Sequence, residues 1–294
     1  MGRTITEYIS LLRTPTWPYE HAVHDFQDVY LNLKDRVVQL LGDRRLDDAR
    51  VLDLGCGYTY PNVALFQAQG VAVCGADIEP VFFRDGRLAA FRARRRERGL
   101  LRAAYWAGPG YSGYRHYFAT LAAVAHADID HAALQLRTYD GRRLPFDDRS
   151  FDVVCSNAVL EHVDDLPAFA AETARVLRPG GVVDMVWHNF YSPSGGHRSP
   201  RDVELSPWGH ITGESPPTCY LNRKPPEQMR SALEERLVVT RVTGCTLDGT
   251  LEGESGYSLE GVDRLDDDWR TKLPDLPAEL LTTRAYLLQG VRRG

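Results

Sequence analysis

The sequence predicts a doubly wound α/β fold, a mostly parallel sheet covered by helices on both faces. Three observations predict it. Short apolar stretches recur at Arg50–Leu54, Val71–Ala76, Leu134–Tyr139, Phe151–Cys155 and Gly181–Trp187, and continuous apolar runs of this length mark strands buried on both faces. Helical periodicity fills the intervals, most clearly in Asp165–Leu177, where Phe169, Thr173, Val176 and Leu177 share one face. The strands also end on a glycine turn or on polar residues, at Gly55-Cys56-Gly57, Asp77, Asp140 and Ser156-Asn157. In open α/β sheets the ligand lies beyond these carboxyl ends.

The remaining elements follow in chain order. Residues 1–45 read as an N-terminal helical flap, with Tyr8, Ile9, Leu11 and Leu12, then Val29, Leu33, Val37 and Leu40, at near-helical spacing. A break at Thr14-Pro15-Thr16-Trp17-Pro18-Tyr19 separates its two helices. Residues 84–131 are far longer than one crossover requires and are expected to form an inserted helical cap. The cap opens on a basic helix carrying Arg92, Arg94, Arg95, Arg96 and Arg98 and continues into the aromatic patch Tyr105, Trp106, Tyr111, Tyr114, Tyr117 and Phe118. Residues 189–226, rich in Pro, Gly, Ser and His, follow the fifth strand as a substrate-side loop segment. A helix at Pro226–Glu235, a strand at Arg236–Val242 and a last strand near Thr283–Val291 complete a single domain over 1–294.

Composition narrows the function. The chain has 294 residues, 43% of them apolar, enough for a full core rather than a disordered chain. Its 35 Lys plus Arg against 40 Asp plus Glu leave a net charge of −5, which favours no nucleic-acid partner. Five scattered cysteines without a Cys-x-x-Cys pair read as reduced thiols, and no window approaches 18 apolar residues. The expectation is a cytoplasmic protein with no membrane partner and with a homo-oligomer left open.

The strand–glycine turn Val51-Leu52-Asp53-Leu54-Gly55-Cys56-Gly57 lets a cofactor approach bare backbone, and Asp77, 20 residues on, is placed to accept from ribose hydroxyls. Asp140 suits an adenine amino group. The turn continues as Tyr58-Thr59-Tyr60-Pro61, without the later glycine of a dinucleotide site, and no Gly-Lys-Ser/Thr is present. An NAD-dependent dehydrogenase is therefore the weaker alternative.

Over about 50–188 the sequence resembles the class I S-adenosylmethionine-dependent methyltransferases, in the branch similar to the ubiquinone-type enzymes. VLDLGCG (51–57), GADIEP (75–80), LPFDDRSFDVVCSNAVLEHVDD (144–165) and RVLRPGG (175–181) carry the resemblance. It implies a Rossmann-like sheet of seven strands with the last antiparallel, S-adenosyl-L-methionine as cofactor and S-adenosyl-L-homocysteine as product. By position it assigns Gly55 and Gly57 to the methionine part of the cofactor, with Asp53 orienting the turn. It assigns Asp77 to the ribose, Ile78, Asp140 and Gly141 to the adenine, and Asn157 to the neighbourhood of the methyl donor. Thr59 stands where a third glycine is frequent, the cap is unusually long, and SGGHRSPRDVELSPWGH (194–210) matches only a subset of such enzymes.

The expected reaction is in-line methyl transfer to a small molecule, to oxygen in secondary metabolism, with nitrogen, carbon and a non-catalytic cofactor-binding protein as alternatives. A hydroxyl acceptor needs a base, and His197 and His210 are the favoured candidates, with Glu161 and His162 behind them. Each of the four also has a purely structural reading. Trp17, Tyr19 and His21, together with Tyr114 and Trp208, are candidates to line the acceptor site. No metal-binding residues are assigned, since no clustered carboxylate set is present, and a metal requirement is left open.

Overall fold

The computed structural model describes residues 17–246, 249, 261 and 264–294. It divides into two compact units, Met1–Asp147 and Asp148–Gly294. Hydrogen bonding orders the seven strands β3-β2-β1-β4-β5-β7-β6, the seven-stranded doubly wound topology that the resemblance implied.

In the first unit, β1 (Arg50–Leu54), β2 (Ala72–Asp77) and β3 (Gln135–Thr138) are parallel. Register pairs Leu54 with Ala76 and Asp77 with Thr138, so the end of β1 is level with the end of β2. There the amides of Gly55 and Cys56 both donate to the Ala76 carbonyl, at 2.7 and 3.3 Å. Between β1 and β2 runs α1 (Pro61–Ala68), whose Val63, Ala64, Leu65 and Phe66 are fully buried. A helix apolar on every side belongs inside, and its first-turn proline costs no hydrogen bond.

The N-terminal helix is more continuous than expected. It runs Trp17–His24, widens by one turn at Asp25–Tyr30, and continues Leu31–Leu41. Trp17, Pro18 and Tyr19 thus open a helix rather than lie in the break, because proline is tolerated in a first turn. Tyr8, Ile9, Leu11, Leu12 and Thr14–Thr16 lie outside the described residues. Within residues 84–131 lie α2 (Arg87–Arg98), α3 (Leu100–Tyr105), a wide turn at Trp106–Gly110 holding Pro109, and α4 (Tyr111–Val124). Helix Trp17–His24 packs on α4, and Tyr117 donates to Asp25 at 2.5 Å.

In the second unit, β4 (Phe151–Asn157) and β5 (Leu177–His188) are parallel, with α5 (Leu166–Val176) between them, capped by Asp165, which accepts from the Ala168 amide at 2.9 Å. β6 (Leu237–Cys245) and β7 (Ala285–Arg292) follow, β7 lying antiparallel to both β5 and β6. β5 starts at Leu177 rather than Gly181, because a register irregularity between Phe151 and Val153 takes the Arg-Pro-Gly-Gly stretch into the strand. Residues 189–226 are only partly loop: α6 (Pro200–Leu205), α7 (Gly209–Thr212) and the start of α8 (Pro226–Glu234) lie there.

No cysteine is joined in a disulfide. Among the described residues no helix is long and apolar enough to cross a membrane.

Candidate cofactor and acceptor sites

Asp77 organises the first unit's site. Its Oδ2 accepts from the Gly57 amide at 2.7 Å and its Oδ1 from the Glu79 amide at 2.8 Å. Each carboxylate oxygen has two lone pairs, so both oxygens retain capacity for ribose hydroxyls. Gly57 holds φ +71°, and a Cβ there would meet nothing within 4 Å. The turn therefore exposes open space directly over backbone, as a cradle for a ligand requires. Asp53 beneath it is buried, and burial together with the Asp77 charge pushes its carboxyl up to about 7.

Ile78 is 65% exposed, an apolar side chain left uncovered beside this polar strand end. The Cβ position of Gly141 is 3.6 Å from Ile78 Cγ2. Asp140 accepts from the amides of Arg142 and Arg143 at 2.9 and 3.0 Å, and these bonds hold its carboxyl below the usual range. Strand end, open turn, apolar platform and exposed carboxylate together suit a nucleoside.

The aromatic patch is a second core that recruits the residues after the glycine turn. Tyr114 stacks on Trp106 at 5.3 Å and 7°, and Tyr58 packs against both rings. Burial pushes the Tyr114 hydroxyl up to about 12. Arg94, alone among the described arginines of α2 in being buried, lies 5.2 Å from the Trp106 centroid and pairs with Glu79 at 2.9 Å. Tyr19 is 62% exposed and His21 is also exposed. The side chain of Trp17 lies outside the described residues.

In the second unit β4 ends on Asn157, whose Oδ1 is buried with no partner among the described residues. Just beyond, Glu161 and His162 lie on the short turn Leu160–His162. Glu161 is 2% exposed, and burial pushes its carboxyl up to about 7. His162 is exposed, and its Nδ1 lies 2.9 Å from the Tyr220 carbonyl. A carbonyl only accepts, so Nδ1 is the donor in this contact and Nε2 is the ring nitrogen turned away from it.

His197 joins them from the 189–226 segment, its ring 5.0 Å from that of His162 and its Nε2 3.0 Å from His188 Nδ1. Burial and the neighbouring His162 push the His197 imidazole down to about 4. His210 stands apart. It is 4% exposed and donates from Nε2 to the Phe190 carbonyl at 2.6 Å, an interior support rather than a rim side chain. Trp208 is likewise core: it is fully buried, donates to the Leu281 carbonyl at 3.0 Å and packs with Trp269, Leu273 and Leu281.

His188 was not anticipated from sequence, because it closes an otherwise apolar strand. Its place at the carboxyl end of β5 is the signal that could have found it.

Residues 107–184 match a family model described as a methyltransferase domain. That stretch is part of a methyltransferase domain. A Mycolicibacterium smegmatis relative named as a probable S-adenosylmethionine-dependent methyltransferase is 38% identical to this chain over 87 residues, 30% of this chain and 32% of the relative. The 27-O-demethylrifamycin SV methyltransferase of Amycolatopsis mediterranei is 30% identical over 165 residues, 56% of this chain and 46% of that protein. The chain thus spans a third to just under half of these two relatives. A solved geranyl diphosphate C-methyltransferase from Streptomyces coelicolor is 16% identical, with TM-score 0.45 over 88% of this chain and 76% of that one. The methyltransferase-domain match takes in the strand ends at Asp140 and Asn157 and the Glu161-His162 turn.

Proposed function

We propose that the protein is an S-adenosylmethionine-dependent methyltransferase acting on a small-molecule acceptor, with oxygen as the atom methylated. The observation that carries the reading is the Asp77–Gly57 arrangement, an acidic strand end hydrogen-bonded to a glycine turn that leaves open space over its backbone. In the first unit Asp53, Gly55, Gly57, Asp77, Ile78, Asp140 and Gly141 would hold the cofactor. In the second, the buried Asn157 Oδ1, an acceptor without a protein partner among the described residues, suits a ligand donor. Two relatives support oxygen by name, the 27-O-demethylrifamycin SV enzyme and a ubiquinone biosynthesis O-methyltransferase of Rhodopseudomonas palustris. The first also favours a role in secondary metabolism.

When bound, S-adenosylmethionine supplies an electrophilic sulfonium methyl. The chain's contribution is then position and proton handling. A hydroxyl acceptor gives up its proton as it is methylated, and His162 Nε2 is the acceptor for it, because Nδ1 is the donor to the Tyr220 carbonyl. His197 and His210 are worse placed for this task. One is engaged with His188 and the other is held inside by Phe190.

Calorimetric titration with S-adenosylmethionine and S-adenosylhomocysteine tests the cofactor, and S-adenosylhomocysteine production from hydroxylated acceptors tests the reaction. Binding with turnover is expected. Absence of binding by folded protein overturns the reading, and binding without turnover on any acceptor replaces it with a cofactor-binding protein.

A further inference from the structure

Three segments of the second unit bring metal-ligating atoms together. Glu161 comes from the turn after β4, His188 from the last position of β5, and His197 from the segment that follows. His188 Nδ1 lies 3.0 Å from His197 Nε2, and Glu161 Oε1 lies 3.9 Å from the same nitrogen. All three donors fall within 4.8 Å of one another. Metal–ligand bonds of about 2.0–2.2 Å in tetrahedral geometry place donors roughly 3.3–3.6 Å apart, and the two observed separations straddle that spacing.

A second, independent observation points to a ligand. Glu161 is 2% exposed, and its Oε2 has no hydrogen-bond partner among the described residues. A buried carboxylate oxygen without a partner is costly unless something else occupies its lone pairs.

The surroundings prepare the donors. Ser194 Oγ lies 2.8 Å from His188 Nε2, so it can take that N–H and leave the Nδ1 lone pair facing His197. Cys219 Sγ lies 3.8 Å from His197 Nδ1 on the far side of that ring. His197 itself holds φ +50°, a left-handed conformation uncommon outside glycine. It is held there by its amide bond to the Ser194 carbonyl at 3.0 Å and by the Thr218 hydroxyl on its carbonyl.

The geometry points to a divalent transition-metal site made by Glu161, His188 Nδ1 and His197 Nε2, with zinc as the fitting ion and a fourth position open to water or another oxygen donor. Two imidazoles and one carboxylate are a zinc donor set that leaves such a position. His162, His197 Nδ1 and Cys219 form an outer group within the same 4.8 Å limit. The inner group is preferred because only it includes the unpartnered Glu161 oxygen. His162 then stays outside the site, and the inference stands whether or not the chain transfers methyl groups.

The test uses the full chain, freed of metal by a chelator and titrated with Zn²⁺ by calorimetry. Co²⁺ absorption reports the coordination geometry, and circular dichroism confirms folding. One equivalent of Zn²⁺ is expected to bind at or below micromolar Kd. Glu161→Gln and His188→Ala should each weaken binding by at least about 30-fold, whereas Cys219→Ser should change it by no more than roughly 10-fold, as for an outer contact. Glu161→Gln conserves shape and decides the matter if His188→Ala fails to fold. No Zn²⁺ uptake by wild type overturns the inference and leaves a hydrogen-bonded His188–His197 pair. Unchanged binding in Glu161→Gln, or loss confined to Cys219→Ser, overturns it in favour of the outer group.

Discussion

Asp77 and Gly57 are joined by a hydrogen bond of 2.7 Å from the glycine amide to the carboxylate. The acid expected to hold a ribose therefore also holds the turn that would receive the rest of the cofactor. Two substitutions separate these duties. Asp77→Asn keeps one oxygen acceptor and should weaken S-adenosylmethionine binding roughly ten- to a hundred-fold, the worth of about 1.5–3 kcal/mol in charged hydrogen bonds. Asp77→Ala also orphans the Gly57 and Glu79 amides and should lower stability by about 1–3 kcal/mol. Calorimetry reads the first effect and denaturant unfolding the second.

Arg94 is the second case of a residue serving two neighbours. It packs on Trp106 and pairs with Glu79, two positions past Asp77. Arg94→Ala removes a buried guanidinium that packs on Trp106 and pairs with the half-buried Glu79, and it should cost about 1–3 kcal/mol. Arg95→Ala, on the exposed side of the same helix, should stay within about 0.5 kcal/mol. Equal losses from the two in denaturant unfolding would show that the pair contributes nothing particular.

Strand ends were the legible part of this molecule. Local pattern alone carried β1, β2, β4 and the Asp165-capped helix to within a few residues, and with them the strand-end places of Gly57 and Asp77; only the family resemblance singled out Asp53 and Asn157. Arg94 was not legible. A run of arginines gives no sign of which one turns inward, and its partners lie 15 residues upstream and 12 downstream. The burial of Trp208 was not legible for a similar reason. Pro, Gly and His around it suggest an exposed rim, whereas the rings and carbonyl that bury it come from Trp269 and Leu281, far along the chain. His188 was hidden because strand periodicity treats every inward position as core.

Trp208 allows the core and acceptor roles to be told apart. Trp208→Phe removes the donor to the Leu281 carbonyl and part of a packed ring, and it should lower stability by roughly 1–3 kcal/mol. Because the side chain is fully buried, acceptor KM should remain within about twofold, near the small error of independent sites. Steady-state kinetics beside thermal unfolding distinguishes this core role from acceptor binding, in which KM would move more than stability.

Asp53 sets a pH dependence. Its carboxyl is raised in the folded protein to about 7 by burial and the Asp77 charge, against an ordinary value of 3.8. A raised folded value means that its favourable contribution is complete below about pH 4 and is lost as pH climbs through about 7. Asp53→Asn, which cannot ionise, should remove this slope and gain on the wild type across that window by on the order of 2–4 kcal/mol. Unfolding free energies of both proteins at pH 4, 5.5, 7 and 8 check the sign. A difference that stays flat or shrinks with rising pH defeats it.

The Gly195-Gly196 pair shows what brings His197 to its place. A Cβ on Gly195 would lie 2.0 Å from the Asn189 carbonyl oxygen and 2.5 Å from that of Phe190, and backbone cannot yield as a side chain can. On Gly196 it would lie 2.6 Å from the His210 ring, itself held by the Phe190 carbonyl. His210 thus acts as a wall against which the loop turns back toward β5. Gly195→Ala should cost about 1–3 kcal/mol through forced backbone movement, while Leu205→Ala, at a side chain 73% exposed, should cost no more than about 0.5. The same movement pulls His197 away from His188, so the imidazole resonances of both rings should shift together in Gly195→Ala. Unmoved His188 and His197 signals in a destabilised variant would mean that the glycine pair serves the fold alone and not the placement of His197.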